Sequence, residues 1–219
     1  MTYLYLDIET LPTTDTAIIA DIAASIKPPA NYKSADTIAK WEAETKADAV
    51  REAVAKTGLS GLYGSICCIC FTVDGEDIVS SHGEYERDVL SNFIGGLEFG
   101  FKTPTIVGHN VAEFDIRFIR QRCIVNGIKL PSWWPVDPKP WSRDVFDTMH
   151  AWGGAKNYVS LDKLCRVLGI PGKSGFDGSM VADEWFNGDR QKVVDYCADD
   201  VERTRAVHRR MMIASGELA

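Results

Sequence analysis

The stretch that most constrains this chain is 3–10, Tyr-Leu-Tyr-Leu-Asp-Ile-Glu-Thr. Its period of two makes it a strand that turns Leu4, Leu6 and Ile8 to one face and Asp7 and Glu9 to the other, the two carboxylates about 7 Å apart along the backbone. Two acids closing an apolar strand are costly to bury without a positive partner, because each loses hydration and tends to take up a proton. Such a strand either emerges into solvent or helps to hold a divalent cation. Which of these applies depends on whether further acids converge on it.

The rest of the chain sets the frame. With 219 residues, 45% hydrophobic and 25% charged, it has the make-up of one globular domain, 1–219, with an ample core. No run approaches the roughly eighteen apolar residues of a membrane helix, and the N-terminus enters a strand without a basic then apolar leader. The expectation is a cytoplasmic protein without membrane contact. Six cysteines lie mostly in apolar stretches, as reduced, buried thiols do. A net charge of −7 argues against a general basic surface for nucleic acid, but leaves room for action on phosphates through bound metal.

Along the chain, 12–61 reads as a helical insertion after the first strand. Its segments 15–26 and 34–57 are separated by Pro28-Pro29 and stopped by Gly58. Asp36 with Lys40, Glu42 with Lys46 and Glu52 with Lys56 suit a mostly exposed second helix. Strands at 65–73 and 77–81 flank an Asp74-Gly75 turn, followed by a helix over 84–97, a strand at 105–108 and a helix over 113–126 stopped by Gly127. A Pro- and Trp-rich loop at 130–141 precedes a strand at 143–149, a helix over 160–168, a glycine-rich connection at 169–179 containing Lys173, and a long helix over 189–212. Strands first, then strands alternating with helices, predict an α/β chain with a mixed sheet flanked by helices.

Two later motifs bring acids to this frame. In Asn110-Val-Ala-Glu-Phe-Asp115, Asp115 falls in a first helical turn, where unpaired amides and the helix dipole favour an ionised carboxylate. In the last helix Val194, Cys197, Val201 and Thr204 form the apolar stripe. Asp195 and Asp199 therefore face solvent, and Tyr196, Asp200 and Arg203 share the flank beside the core.

In Asp7-Ile-Glu9-Thr, Asn110-x4-Asp115 and Tyr196-x3-Asp200, in that order, the chain resembles the DEDD superfamily of 3′-to-5′ exonucleases, with the DnaQ-like, ribonuclease-H-like fold. Tyr196 four residues before Asp200, with Asp195 five before, resembles the tyrosine subgroup, and Asn-x4-Asp with Tyr-x3-Asp-Val-Glu looks most like the proofreading domain of family B DNA polymerases and the stand-alone exonucleases similar to it. Ser160-Leu-Asp-Lys-Leu164, Gly172-Lys173 and Asp177-Gly178 look like that stand-alone group as well.

The resemblance implies hydrolysis of phosphodiester bonds at the 3′ end of DNA, single-stranded by preference, releasing 5′-mononucleotides. It implies two divalent ions, with Asp7 bridging them, Glu9 and Asp200 holding one and Asp115 the other; oxygen ligands suit magnesium or manganese. Tyr196 would orient the water, being a poor base at neutral pH with an unperturbed pKa near 10. Thr10 and Leu11 would meet the terminal sugar and base and Asn110 the substrate backbone, while Lys173 and Arg203 either meet the phosphates or make surface salt bridges. His109 reads as structural. Trp133, Trp134, Trp141 and Trp152 either stack unpaired bases or close over the core. The alternatives are an exonuclease acting on RNA or oligoribonucleotides and a non-catalytic nucleic-acid-binding or scaffold protein on the same fold. A replication or repair partner is left open.

Overall fold

A computed structural model describes residues 2–97, 103–139, 141–172 and 175–218. The chain divides into two compact units, one of Met1–Glu9 with Ile66–Ala219 and one of Thr10–Ser65.

The smaller unit holds α1 (Thr16–Ser25), α2 (Ala35–Glu44) and α3 (Lys46–Lys56). Asp15 caps α1 by accepting from the amides of Ala17 and Ile18, and Ser34 caps α2 by accepting from that of Thr37. The single helix predicted over 34–57 is two, because Thr45 leaves helical geometry at φ −123° and the chain turns there. The base of the unit is tied by hydroxyls. Thr10 donates to the Gly58 carbonyl at 2.7 Å, and Thr57 Oγ1 accepts from the Thr13 amide at 2.8 Å while donating to the Val54 carbonyl.

The larger unit is built on a five-stranded sheet. Its strands are β1 (Tyr3–Leu11), which runs on into the smaller unit, β2 (Ser65–Val73), β3 (Val79–His82), β4 (Thr105–Gly108) and β5 (Val145–Asp147), in the order β3-β2-β1-β4-β5. β1, β4 and β5 are parallel, whereas β2 and β3 form the hairpin expected around Asp74-Gly75. The Asp74 amide donates to the Tyr3 carbonyl and the Cys67 thiol to the Glu9 carbonyl, so β2 runs against β1. The sheet is therefore mixed, as the alternation of elements predicted.

Both faces of the sheet are covered. Leu4, Leu6 and Ile8 join Ile69, Phe71, Phe93, Ile106, Ile116, Ile119 and Trp134 in the main core, against α4 (Glu86–Gly95) and α5 (Asp115–Asn126). Those two helices are joined by Glu86, whose carboxylate accepts from Arg122 in a forked pair at 2.8 Å and from the Asn126 amide. The opposite face, which carries Tyr5, Cys68, Cys70 and the acids of β1, meets α9 (Arg190–Ala214), with α7 (Leu161–Leu168) packed on α9 through Leu161, Leu164, Cys165 and Val207. α8 (Val181–Phe186) leads into α9.

The strand predicted over 143–149 is shorter. It ends at Asp147, whose carboxylate accepts from the amides of Met149 and His150 and so starts α6 (Thr148–Gly153). All six cysteines are buried, and none is part of a disulfide among the described residues. Among the described residues no helix is long and apolar enough to cross a membrane.

Candidate active site

The site begins where β1 outruns its neighbour. The β1–β4 register is Tyr3↔Thr105, Leu4↔Ile106 and Tyr5↔Val107, so β4 ends at Gly108 while β1 continues through Asp7, Ile8 and Glu9. Gly108 is required there: a Cβ would come within 2.5 Å of Val111 Cβ and 3.2 Å of the Leu6 carbonyl oxygen. The chain then turns through Asn110, which takes the left-handed conformation at φ +65°, an accessible one for Asn.

Two polar groups, the buried Asp147 and the half-buried His109, hold that turn. Asp147 receives the amides of Asn110 and Ala112 at 3.1 and 3.2 Å in addition to those that start α6. His109 reaches Thr148 Oγ1 at 2.9 Å and the Val159 carbonyl at 2.8 Å, the structural role expected of it. The sequence reading missed Asp147. The signal was present, since Asp147-Thr148 before a helical run is a capping pattern.

The turn delivers Asp115 as the first residue of α5, only 3% exposed. Its Oδ1 accepts from the Ile8 amide at 3.2 Å, so it lies between Asp7 and Glu9 on the strand that outruns β4. α9 supplies the rest from the same sheet face. Asp200 is buried and Asp199 exposed, with Tyr196 half-buried against Phe176 at a ring separation of 4.8 Å.

The acids act on one another. Burial pushes the Asp7 carboxyl well above the usual range, and Asp115, Asp200 and Glu9, in that order, push it further. Asp115 is raised to about 7, first by burial, with Asp147 and Asp200 adding to it against the amide donors. Oxygens of Asp7 and Glu9 and the Cys197 sulfur lie within 4.8 Å of one another, and Asp115 and Asp200 stand close enough to act on the Asp7 charge. The Cys197 thiol also donates to the Asp7 carbonyl at 3.3 Å, fixing α9 to β1 beside the acids. A group of carboxylates that pushes up the Asp7 and Asp115 pKa values fits a hard divalent cation, which would relieve the repulsion that protons relieve otherwise.

Tyr196 is driven above its ordinary pKa by burial and then by Asp200, Glu9 and Asp7. Its hydroxyl therefore keeps its proton at neutral pH and serves as a donor. Arg203 makes a salt bridge, one of its two expected roles, but a buried one and not one on the surface. It is buried, and its Nη2 meets Asp200 Oδ1 at 2.6 Å, while Nη1 is buried with no hydrogen-bond partner among the described residues.

The remaining sequence candidates separate. The Thr10 hydroxyl is engaged by Gly58, and Leu11 is buried. Lys173 lies outside the described residues. Asn110 lines a cleft of about 640 Å³ with Lys139, Trp141, His150 and Tyr158. The tryptophans divide: Trp134 is core with Trp133 packed beside it, whereas Trp141 and Trp152 are 71% and 50% exposed.

Residues 63–219, well over half of the chain, match the family described as "Predicted 3'-5' exonuclease related to the exonuclease domain of PolB". The chain belongs to that family. The matched segment of this PolB-related exonuclease family contains Asn110, Asp115, Tyr196 and Asp200, while Asp7 and Glu9 precede it. Among solved structures, the family B DNA polymerase from the hyperthermophilic archaeon Pyrobaculum calidifontis is similar, with a TM-score of 0.59 and 16% identity over 97% of this chain. That likeness concerns the fold, and the ribonuclease-H-like architecture predicted from the motifs holds. The chain spans 24% of the polymerase chain. No curated protein matches it.

Proposed function

We propose that this protein is a metal-dependent 3′-to-5′ exonuclease acting on DNA, single-stranded by preference, and releasing 5′-mononucleotides. The observation that carries the reading is the crowding of Glu9, Asp115 and Asp200 around Asp7 in a site that raises the Asp7 pKa. Relation to a polymerase exonuclease domain supports DNA as the substrate.

In this reading Asp7, Glu9, Asp115 and Asp200 would hold two ions of the magnesium or manganese class. When bound, such ions activate a water and neutralise charge on the leaving oxygen. The water oxygen attacks the terminal phosphodiester phosphorus and gives up one proton to solvent, the bond from phosphorus to the 3′ oxygen breaks, and that oxygen takes up a proton. Tyr196 donates a hydrogen bond that orients the water, a task suited to a hydroxyl that burial keeps protonated. Arg203 keeps the Asp200 carboxylate aimed at the site. The Ile8 amide and the Asp147-braced turn do the same for Asp115. Asn110 and the aromatic cleft beside it take the sugar-phosphate backbone and bases next to the terminal nucleotide.

The test is incubation of the purified protein with 5′-labelled single-stranded DNA and RNA in manganese, magnesium or EDTA. The expected result is stepwise shortening of DNA from its 3′ end, metal-dependent and abolished by Asp7→Asn. Failure to shorten DNA, or an Asp7→Asn variant within tenfold of wild type, would overturn the proposal.

A further inference from the structure

Behind the carboxylates lies a second cluster of metal-binding side chains that the hydrolytic reading does not use. Cys68 and Cys70 stand at i, i+2 on β2 and so share a sheet face, the one that meets α9 at Cys197. All three thiols are fully buried, and their sulfurs lie within 4.8 Å of one another. We propose that Cys68, Cys70 and Cys197 form a three-thiolate site for a soft divalent cation of the zinc or cadmium class, separate in chemistry from the oxygen site in front of it.

The spacing favours this. The Cys68 and Cys70 sulfurs are 3.8 Å apart. With a zinc–sulfur bond of about 2.3 Å, the edge of a tetrahedron is about 3.8 Å, so these two sulfurs already stand at ligand separation. Cys197 needs only a short movement to complete the face, because all three sulfurs share the same 4.8 Å set.

Ligand softness separates the two sites. Thiolates select zinc, cadmium and cobalt over magnesium, whereas the carboxylates prefer the hard ions. Cys197 also lies within 4.8 Å of carboxylate oxygens of Asp7 and Glu9, which puts a fourth ligand in reach. Asp7, beside Cys197, keeps partial exposure. Binding releases the thiol protons to solvent with no redox change.

The experiment is a cobalt(II) titration of the reduced, metal-free full chain, followed by absorption. The expected result is one cobalt per chain with a thiolate-to-cobalt charge-transfer band and the intense visible bands of tetrahedral cobalt, both bleached by one equivalent of zinc. The bands should persist in Asp115→Asn and in Cys123→Ala and Cys165→Ala, which alter the oxygen set or buried thiols elsewhere. They should vanish in Cys68→Ala/Cys70→Ala. Wild-type protein that takes up cobalt with weak octahedral bands only, or that takes up none, overturns the proposal whatever the variants do. So does a charge-transfer band that survives in the double variant. These readouts are spectroscopic, so they stand or fall independently of nuclease activity.

Discussion

Replacing Asp115 by Asn offers a direct reading of the stress stored in the carboxylate cluster. Burial and the neighbouring acids hold Asp115 at about 7 against an ordinary 3.8. A folded pKa raised above the unfolded one means that the group's full stabilising contribution is present below pH 3.8 and is lost as pH rises through about 7. Three pKa units at 1.36 kcal/mol each is about 4 kcal/mol, and since the charge is shared with Asp7 the accessible part is about 2–4 kcal/mol. Asn keeps an oxygen to accept from the Ile8 amide and removes only the charge. In EDTA at pH 8, Asp115→Asn should therefore melt above wild type by roughly 4–16 °C, at 2–4 °C per kcal/mol for a chain of this size. The gap should close towards pH 4. Adding manganese at pH 8 should raise the wild type and close the gap from the other side, because only the folded chain presents the assembled oxygen donors. Thermal unfolding across pH, followed by circular dichroism, tests all three arms. An Asp115→Asn variant less stable than wild type at pH 8, or a gap that ignores pH, would refute the reasoning.

Other expectations follow from single contacts. Tyr196→Phe should slow DNA cleavage by about 10² to 10⁴ while leaving manganese stabilisation intact, since it deletes a donor and no carboxylate; single-turnover kinetics beside metal titration would expose a variant that is fully active. Arg203→Met should destabilise the protein in EDTA by about 3 kcal/mol, because it strips the partner from a buried carboxylate, and manganese should restore part of that in a denaturant titration. His208, 1% exposed and bonded through Nδ1 to the Tyr5 hydroxyl, is held neutral by burial at about 4. A depressed folded pKa keeps its stabilisation intact above about 6.5 and loses about 3 kcal/mol as pH falls through 4, so His208→Leu should flatten the acid limb of the stability curve, and an unchanged limb would count against it.

How much of this was legible in the sequence depends on what fixed each residue. The two faces of β1 were, because strict alternation leaves an apolar set and an acidic set no choice once the strand is covered on both sides. The choice of Asp200 over Asp199 as the buried acid was legible for the same kind of reason, since the stripe through Val194, Cys197 and Val201 sets the phase of α9. Arg203 stands three residues after Asp200, a spacing that places the two on one helical face. Its sign invited a phosphate, yet a guanidinium beside an inward acid is held by that acid before any ligand arrives. Asp147 was read as strand because α6 is only six residues long, too short to show a period, so its start was signalled by a cap alone.

The thiols show where one-dimensional reading stops. Most of the cysteines sit in apolar runs and read as core, but Cys68 and Cys197 are brought together only because β2 lies beside β1 and α9 crosses that same face. The acids met across the same gap in sequence and were found, because a charge among apolar neighbours announces an unmet need wherever it lands. A buried thiol announces none, since it packs as a small hydrophobe until a cation arrives to turn it into a ligand. Sites made of soft ligands are thus harder to read from a sequence than sites made of charged ones. Here the two kinds share Cys197, whose sulfur completes the three-thiol set on one side and supports the Asp7 carbonyl on the other. A soft cation drawn onto that sulfur would take its proton and so remove the bond to Asp7, which couples the geometry of the oxygen site to what the thiols hold.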